Sequence, residues 1–382
     1  MAKHHLLDRD GKSTRAVADD LLGLHATSNV TPYLSLFNRI EKFSPDDLTK
    51  ELYETNGLVR VRAMRGTFFL VTRRLRSVIE AATQFSRERI NKSLAHAGIS
   101  SSEFQRLSRL ILKSLSNGPK TLPELKKDLT NSPLRTLDWR RGLRLTRRTN
   151  LGVVVHLLLL ERRVQSRPEA VSWWDIDWDG YGARTFTRIT KVRYELVPPL
   201  ASAPVGLEEA RAKLAALYVK QYGPVSIDDV AWWMDESRPA AEKLLDGFSE
   251  SVKRVRIQDS SEEFLVHQDD IEALQNAVED ETVTRFLPYE DPYSKGFKLK
   301  DRIISPSTSR LVYPTGNAMP TVVLGEKIIG TWNIVGDEKK PRLNVKKLTS
   351  VPRGSDEHIS KEGRKLADFM FGEDEGEISF IA

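Results

Sequence analysis

The chain is predicted to be an α+β protein: three tandem helix-turn-helix units with β-hairpin wings, followed by a small β-rich domain. Three observations carry the prediction. The pattern G-P-x-[S/T]-apolar-x-x-apolar occurs twice, as Gly118-Pro119-Lys120-Thr121-Leu122-Pro123-Glu124-Leu125 and Gly223-Pro224-Val225-Ser226-Ile227-Asp228-Asp229-Val230. Apolar and charged residues alternate after helical stretches, as from Val59 to Ala63, which is the period of a half-buried strand. Beyond Glu281, helical periodicity gives way to short strand-like and turn-rich segments.

Arg15 to Leu22 has the spacing of a short amphipathic helix, stopped by Gly23, the residue best able to adopt a left-handed cap. Thr31-Pro32 is expected to open the next helix, the hydroxyl capping it and the proline losing no bond at the first position. Tyr33, Leu36, Phe37 and Ile40 then share one apolar face. Between the two helices lies His25-Ala26-Thr27. In extended backbone its imidazole and hydroxyl project to one side; in a helix they diverge. Val59, Val61 and Ala63 alternate with Arg60 and Arg62, and the turn Arg65-Gly66-Thr67 leads into Phe68 to Val71, a hairpin with an arginine-bearing face.

Phe104 to Leu115 and Leu207 to Tyr222 are amphipathic helices that lead into the two repeats, whose Thr121 and Ser226 are placed to cap the next helix. Phe43-Ser44-Pro45-Asp46-Asp47-Leu48 reads as a weaker third copy. Later wings are expected at Arg163 to Ser166 with Tyr194 to Val197, and at Val252 to Ile257 with Glu263 to His267. Trp173 to Arg188, rich in Trp, Asp and Gly, reads as an insertion in the second wing. The β-rich part comprises Phe286 to Tyr293, a turn-rich stretch from Ile303 to Gly316, and a hairpin of Val322–Leu324 with Lys327–Trp332 across Gly325-Glu326. A helix is expected around Ser360 to Phe371. The resulting units are residues 1–100, 101–200 and 201–280, with the β-rich domain at 281–382.

Composition narrows the function. No apolar run reaches the roughly 18 to 20 residues that span a bilayer, and Leu151 to Leu160 reads as a buried helix. The first residues lack the apolar core of a signal peptide, so a cytoplasmic protein is expected, associated with the nucleoid if the source is prokaryotic. With no cysteine, disulfides, thiolate catalysis, iron–sulfur clusters and cysteine zinc sites are excluded. No spaced His/Asp/Glu cluster suggests another metal, and no cofactor is expected.

The net charge of +6 conceals an asymmetry. Arg135 to Arg167 holds nine arginines against Asp138 and Glu161, whereas Gly354 to Ala382 holds eight acids against Lys361, Arg364 and Lys365. A basic middle suits a polyanion, and the acidic tail is expected to stay solvated. The partner expected is double-stranded DNA, with Arg140, Arg141, Arg144, Arg147 and Arg148 on its phosphates. Arg60, Arg62, Arg65 and Thr67 of the first hairpin are further candidate contacts, to phosphates or the minor groove; a solvated surface or internal ion pairing is the bland alternative for all of these arginines. His4 and His5 lie in a terminus expected to fray, His156 on an apolar helix. Tyr293 and Trp332 read as core or turn residues.

Four elements in order carry a resemblance: Gly23 to Thr27, Met64-Arg65-Gly66-Thr67, Leu287 to Tyr293 with the pattern L-P-x-x-D-P-Y, and Ile328-Ile329-Gly330-Thr331-Trp332. Together they resemble the tandem winged-helix DNA glycosylases, the family of azinomycin-resistance and crosslink-unhooking alkylpurine enzymes. The resemblance implies three winged helices curved around damaged duplex DNA, a C-terminal β domain, and metal-free hydrolysis of the N-glycosidic bond of alkylated purines. It aligns the family's catalytic signature, Gln–apolar–Gln/Asp, with His25-Ala26-Thr27, which makes His25 and Thr27 the candidate catalytic residues. Phe69 also departs from the pattern, many relatives having His there. A neutral His25 with a pKa near working pH would take a proton from the attacking water, and activity would fall in acid; the alternative is a structural histidine at a helix end. A monomer is favoured, since three modules in one chain can surround DNA without dimer symmetry. Competing readings are a non-catalytic winged-helix DNA-binding protein, either a transcription regulator or a lesion sensor, and an RNA-binding helix-turn-helix factor.

Overall fold

Three times along the chain a helix ends, a short extended stretch follows, two helices come next and a β-hairpin closes the unit. The structure is a computed structural model describing residues 1–84, 87–141, 144–168, 192–197, 205–257, 262–278, 280–336, 340–372 and 377–381. The first unit runs α1 (Thr14–Asp20), β1 (Leu24–His25), α2 (Val30–Phe37), α3 (Pro45–Tyr53), β2 (Leu58–Arg62) and β3 (Phe68–Thr72). After α4 (Arg73–Ala82) and α5 (Arg87–His96), the second runs α6 (Ser101–Leu115), α7 (Leu122–Asp128), a hairpin of β4 (Thr136–Arg141) and β5 (Arg144–Thr149), α8 (Asn150–Leu160), β6 (Val164–Pro168) and β7 (Val192–Leu196). The third runs α9 (Leu207–Tyr222), α10 (Ile227–Met234), α11 (Arg238–Leu245), β8 (Val252–Arg256) and β9 (Glu263–His267), followed by α12 (Ile271–Gln275).

The extended stretch always pairs with the second strand of the hairpin. His25 lies opposite Phe69, Lys120 opposite Tyr194, and Val225 opposite Leu265. Gly23, Gly118 and Gly223 therefore hold one place, two residues before the pairing residue. This corrects the repeat read from sequence: the first copy is Gly23 to Thr27, and Ser44 instead starts α3, the helix before the hairpin. A capping box marks any helix start, so by itself it could not say which helix. Thr121 and Ser226 do form the expected capping boxes. Gly23 is required by space as well as by its φ of +109°, because a Cβ there would lie 3.0 Å from Val71 Cγ1 and 3.2 Å from the Leu70 carbonyl.

Other expectations shift for tertiary reasons. The second helix begins at Val30, not after Thr31, with the Ser28 hydroxyl accepting from the Val30 amide. Thr31 turns its hydroxyl outward from that role and donates to the Tyr289 carbonyl at 3.2 Å. The terminus expected to fray is packed: Leu6 is fully buried, His4 sits edge-on to Tyr222 at 4.6 Å, and His5 bonds Asp20 at 2.8 Å. The hairpin β4–β5 was not foreseen, although Gly142-Leu143 between its arms is a two-residue hairpin spacing. The Trp173 to Arg188 insertion lies outside the described residues.

The C-terminal part is a five-stranded sheet in the order β10 (Thr284–Leu287), β11 (Thr321–Leu324), β12 (Lys327–Val335), β13 (Arg342–Lys347), β14 (Glu377–Ile381), antiparallel except for the parallel last pair. Helices α13 (Pro292–Lys295) and α14 (Pro306–Val312) precede β11, the latter within the stretch read as turns, and α15 (Ser355–Phe371) precedes β14. The acidic tail is thus no solvated appendage. Ile359, Leu366, Ala367 and Met370 recur on one face of α15 and are buried against the sheet, while Asp356, Glu357 and Asp368 stay exposed. Tyr293 and Trp332 are core residues as expected, the indole N–H donating to the Leu287 carbonyl at 2.9 Å. No described helix is long and apolar enough to cross a membrane.

Two shared cores bind these parts, and a third lies within the middle of the chain. Helix α4 packs along α9, so that Leu75 and Ile79 join Leu214, Tyr218 and Trp233 in one cluster. Residues from Ile90 to Val164 form a core of their own. Helix α2 contributes Val30 and Leu34 to the core beneath the C-terminal sheet. The last junction is closed by an ion pair with both side chains fully buried. The Arg39 guanidinium donates to both Asp291 carboxylate oxygens, at 2.8 and 2.7 Å, and to the carbonyls of Ser35 and His4. Ser35 Oγ and the Tyr293 amide complete the carboxylate's bonding.

Removing one partner strands a buried charge, which costs far more than the pair contributes. Asp291→Ala is expected to lose about 3–5 kcal/mol in denaturant unfolding. The double substitution Arg39→Met with Asp291→Leu should lose clearly less, because no charge is left unpaired. Equal losses would show that the pair is not internally compensated.

Candidate active site

The second residue of β1 is His25, and its surroundings follow from strand geometry. Leu24 and Ala26 are buried in the core of the first unit, which leaves His25 and Thr27 on the opposite side of extended backbone. The Thr27 hydroxyl lies 3.2 Å from His25 Nε2. The backbone between them is clamped from both sides: the Ala26 amide donates to the Phe68 carbonyl at 2.7 Å, and Arg60 Nε donates to the Ala26 carbonyl at 3.0 Å. Phe69 meets the imidazole edge-on at 5.5 Å.

His25 is only 5% exposed. Burial, then the charges of Lys295, Arg60 and Arg65, lower its pKa to about 3. The imidazole is neutral at physiological pH, as the sequence reading required, but it is a weak base rather than one poised near working pH. Its Nδ1 is buried without a hydrogen-bond partner among the described residues. An orphaned N–H is rarer than an orphaned lone pair, which favours the proton on Nε2, where Thr27 Oγ1 can accept it. His25 is thereby a donor.

The sequence reading missed the carboxylate facing this donor. Glu290 Oε2 lies 4.0 Å from His25 Nε2, and the side chain is 8% exposed. Its other oxygen accepts the Ala318 amide at 2.5 Å and pairs with Lys295 Nζ at 3.4 Å. Glu290 adopts a left-handed φ of 57°, uncommon for a residue with a Cβ. The preceding and following residues are anchored to α2, Tyr289 through Thr31 and Asp291 through Arg39. Its only sequence signal was its place inside L-P-x-x-D-P-Y, where nothing local shows which side chain turns inward.

Cations surround this carboxylate. Lys295 donates to the Gly316 carbonyl, and desolvation lowers its pKa against the pull of Glu290. Lys300 lies between the Trp232 and Tyr313 rings, at 5.3 and 4.9 Å, and burial followed by Lys295 brings its pKa to about 7. Arg65, exposed at the hairpin turn with φ 53°, covers the other Trp232 contact at 4.0 Å.

The other predicted contacts divide sharply. Arg60 is buried rather than turned outward: its guanidinium lies 3.7 Å over Phe68 and donates to Ser166 Oγ of β6, and burial lowers its pKa to about 9. Arg62 is half-buried, and with Arg148 it adds to the burial that lowers the His156 pKa to about 4. Thr67 closes the turn by donating to the Met64 carbonyl at 3.1 Å. Arg147 and Arg148 are exposed on β5, the former 4.0 Å from an equally exposed Asp138. Such a pair contributes little and leaves the charge available. Arg140, Arg141 and Arg144 are placed on the same hairpin by backbone alone.

A family profile described as DNA glycosylase AlkZ-like matches residues 18–369. No curated protein sequence matches the chain. Among solved structures it is similar to the Streptomyces sahachiroi DNA glycosylase AlkZ, with a TM-score of 0.72 at 17% identity, covering 100% of this chain and 97% of that one.

Histidines held neutral by burial destabilise the fold in acid. The unfolded chain takes up a proton below about pH 6.5, while folded His25 and His156 do so only near 3 and 4. Stability is therefore complete above pH 6.5 and is lost as pH falls towards those values, by up to about 1.4 kcal/mol per pH unit for each histidine. The melting temperature is expected to decline below pH 6.5, and the His25 ring resonances should not titrate between pH 8 and 5. A His25 midpoint near 6.5 would contradict its buried environment.

Proposed function

The chain belongs to the DNA glycosylase AlkZ-like family, and on that premise we propose that it hydrolyses the N-glycosidic bond of N7- or N3-alkylated purines in duplex DNA. The observation that carries this reading is the convergence of Thr27 Oγ1, His25 Nε2 and Glu290 Oε2 within 3.2 and 4.0 Å. No strong acid is required. An N7-alkylated guanine is already cationic, so the electron pair of the breaking C1′–N9 bond neutralises the departing ring. What remains is to place a water against C1′ and to stabilise the positive charge that develops on the sugar. A neutral His25 adds no repulsion to that charge, and Thr27 can hold the water or a sugar oxygen. The same cleavage at one nucleotide of an interstrand crosslink would unhook it.

In this reading residues 1–100, 101–200 and 201–280 act as three winged-helix units, residues 281–382 form the β-rich domain, and a single copy holds the damaged duplex. Arg147 and Arg148, with Arg140, Arg141 and Arg144 beside them, supply phosphate contacts on the β4–β5 hairpin. Arg65 and Thr67 lie at the hairpin turn near the site. Arg60 and the half-buried Arg62 serve instead to fix the site's backbone and the junction with the second unit.

The test is single-turnover release of N7-methylguanine from a defined duplex. Wild type is expected to release it, and His25→Ala to be slower by about 10²–10⁴ while binding the duplex as well as wild type does. No release from either methylated or crosslinked duplex, despite tight binding, would make this a non-catalytic DNA-binding protein. Substituting Arg147 and Arg148 together by alanine should reduce the slope of log affinity against log salt by about 1.8. An unchanged slope would move the phosphate-binding surface off this hairpin.

A further inference from the structure

Resting on that reading of the site, we propose that Glu290 is the catalytic base, taking the proton of the attacking water while His25 orients that water as a neutral donor. The two oxygens of Glu290 are differently committed. Oε1 accepts from Ala318 N–H and faces Lys295, which leaves Oε2 as the oxygen nearest His25. Their separation of 4.0 Å is too long for a hydrogen bond and short enough for one oxygen atom to reach both groups. A water held there would donate to Glu290 Oε2 and share the His25 Nε2–H with Thr27 Oγ1 as a second acceptor.

The structural bonds of Glu290, with the Ala318 amide and with Lys295, both fall on Oε1 and leave Oε2 for another role. A glutamine could accept the Ala318 amide bond without the desolvation cost of a carboxylate. The backbone is likewise held in an unfavourable left-handed conformation, kept in place by the Glu290 amide bond to the Ala318 carbonyl at 3.0 Å and by the buried Arg39–Asp291 pair. Lys295 is the positioning residue: it fixes Oε1 and offsets the burial of the charge. The reaction balances without any further reactant. The water oxygen bonds to C1′, its proton passes to Glu290 Oε2, the C1′–N bond breaks, and its electron pair leaves with the cationic purine, which becomes neutral.

The experiment compares wild type, Glu290→Gln and Glu290→Gly on a duplex containing N7-methyl-2′-deoxyguanosine, measuring single-turnover base release, duplex affinity and melting temperature. Glutamine retains an acceptor for Ala318, and glycine relieves the left-handed φ while deleting the carboxylate, so neither loss can be ascribed to backbone strain. Both variants are expected to release base about 10²–10⁴ times more slowly with duplex affinity retained, and added formate should restore rate to Glu290→Gly by supplying the missing carboxylate. An active wild type with an equally active Glu290→Gln overturns this assignment alone. Slowing that formate does not relieve, accompanied by loss of affinity or of melting temperature, makes Glu290 structural and overturns it too. A wild type that releases no base overturns the glycosylase reading itself.

Discussion

The buried Arg39–Asp291 pair joins two segments more than 250 residues apart in sequence, and the candidate site exists only because they are joined. Arg39 follows directly from α2, whose other end begins just after the His-Ala-Thr element. Asp291 follows Glu290. Fixing one carboxylate against one guanidinium therefore fixes the distance between His25 and Glu290, with Thr31 and Asn38 adding bonds to the carbonyls of Tyr289 and Phe286. Each of these groups is buried, so each must be satisfied, and a slip of α2 against the sheet would break several bonds at once. A junction built this way is rigid, which suits chemistry that depends on the placement of a single water.

Electrostatically the site is one carboxylate inside a collar of cations. Lys295, Lys300 and Arg65 draw the local potential positive, which suits the phosphates of a nucleic acid, and burial together with Lys295, Arg60 and Arg65 keeps His25 neutral. In the proposed reaction, the same collar without Glu290 would oppose an oxocarbenium ion. The acid and base properties are thus set by tertiary neighbours: an imidazole ordinarily poised near neutrality becomes a fixed dipole, and the charge that faces it comes from another part of the chain.

The arginines show how far composition can mislead about role. Arg60 and Arg147 are both arginines on hairpin strands. Arg60 is enclosed because β2 packs against β6, and its guanidinium becomes a bracket for the Ala26 carbonyl and Ser166. Arg147 lies on a hairpin inserted between α7 and α8, with nothing described packed over it. The packing partner, not the strand, decides whether an arginine is a support or a surface charge.

By itself the sequence determined the α+β class, the helices that flank the two repeats, the three hairpins that close the units, the two capping boxes, and the helix stop at Gly23. These are local properties, carried by periodicity, by hydroxyls ahead of helices, and by the glycine that only a close turn requires. The structure alone decided that Gly23 rather than Ser44 belongs to the repeat, since strand pairing between Leu24-His25 and Leu70-Phe69 joins residues distant in the chain. It decided that the acidic tail packs, because the apolar face of α15 had no visible partner until the sheet was assembled. It also decided the identity of the site's carboxylate. Glu290 is one acid among many in the sequence, and it is singled out by burial, by a left-handed backbone and by an ion pair at the next residue, all consequences of long-range packing.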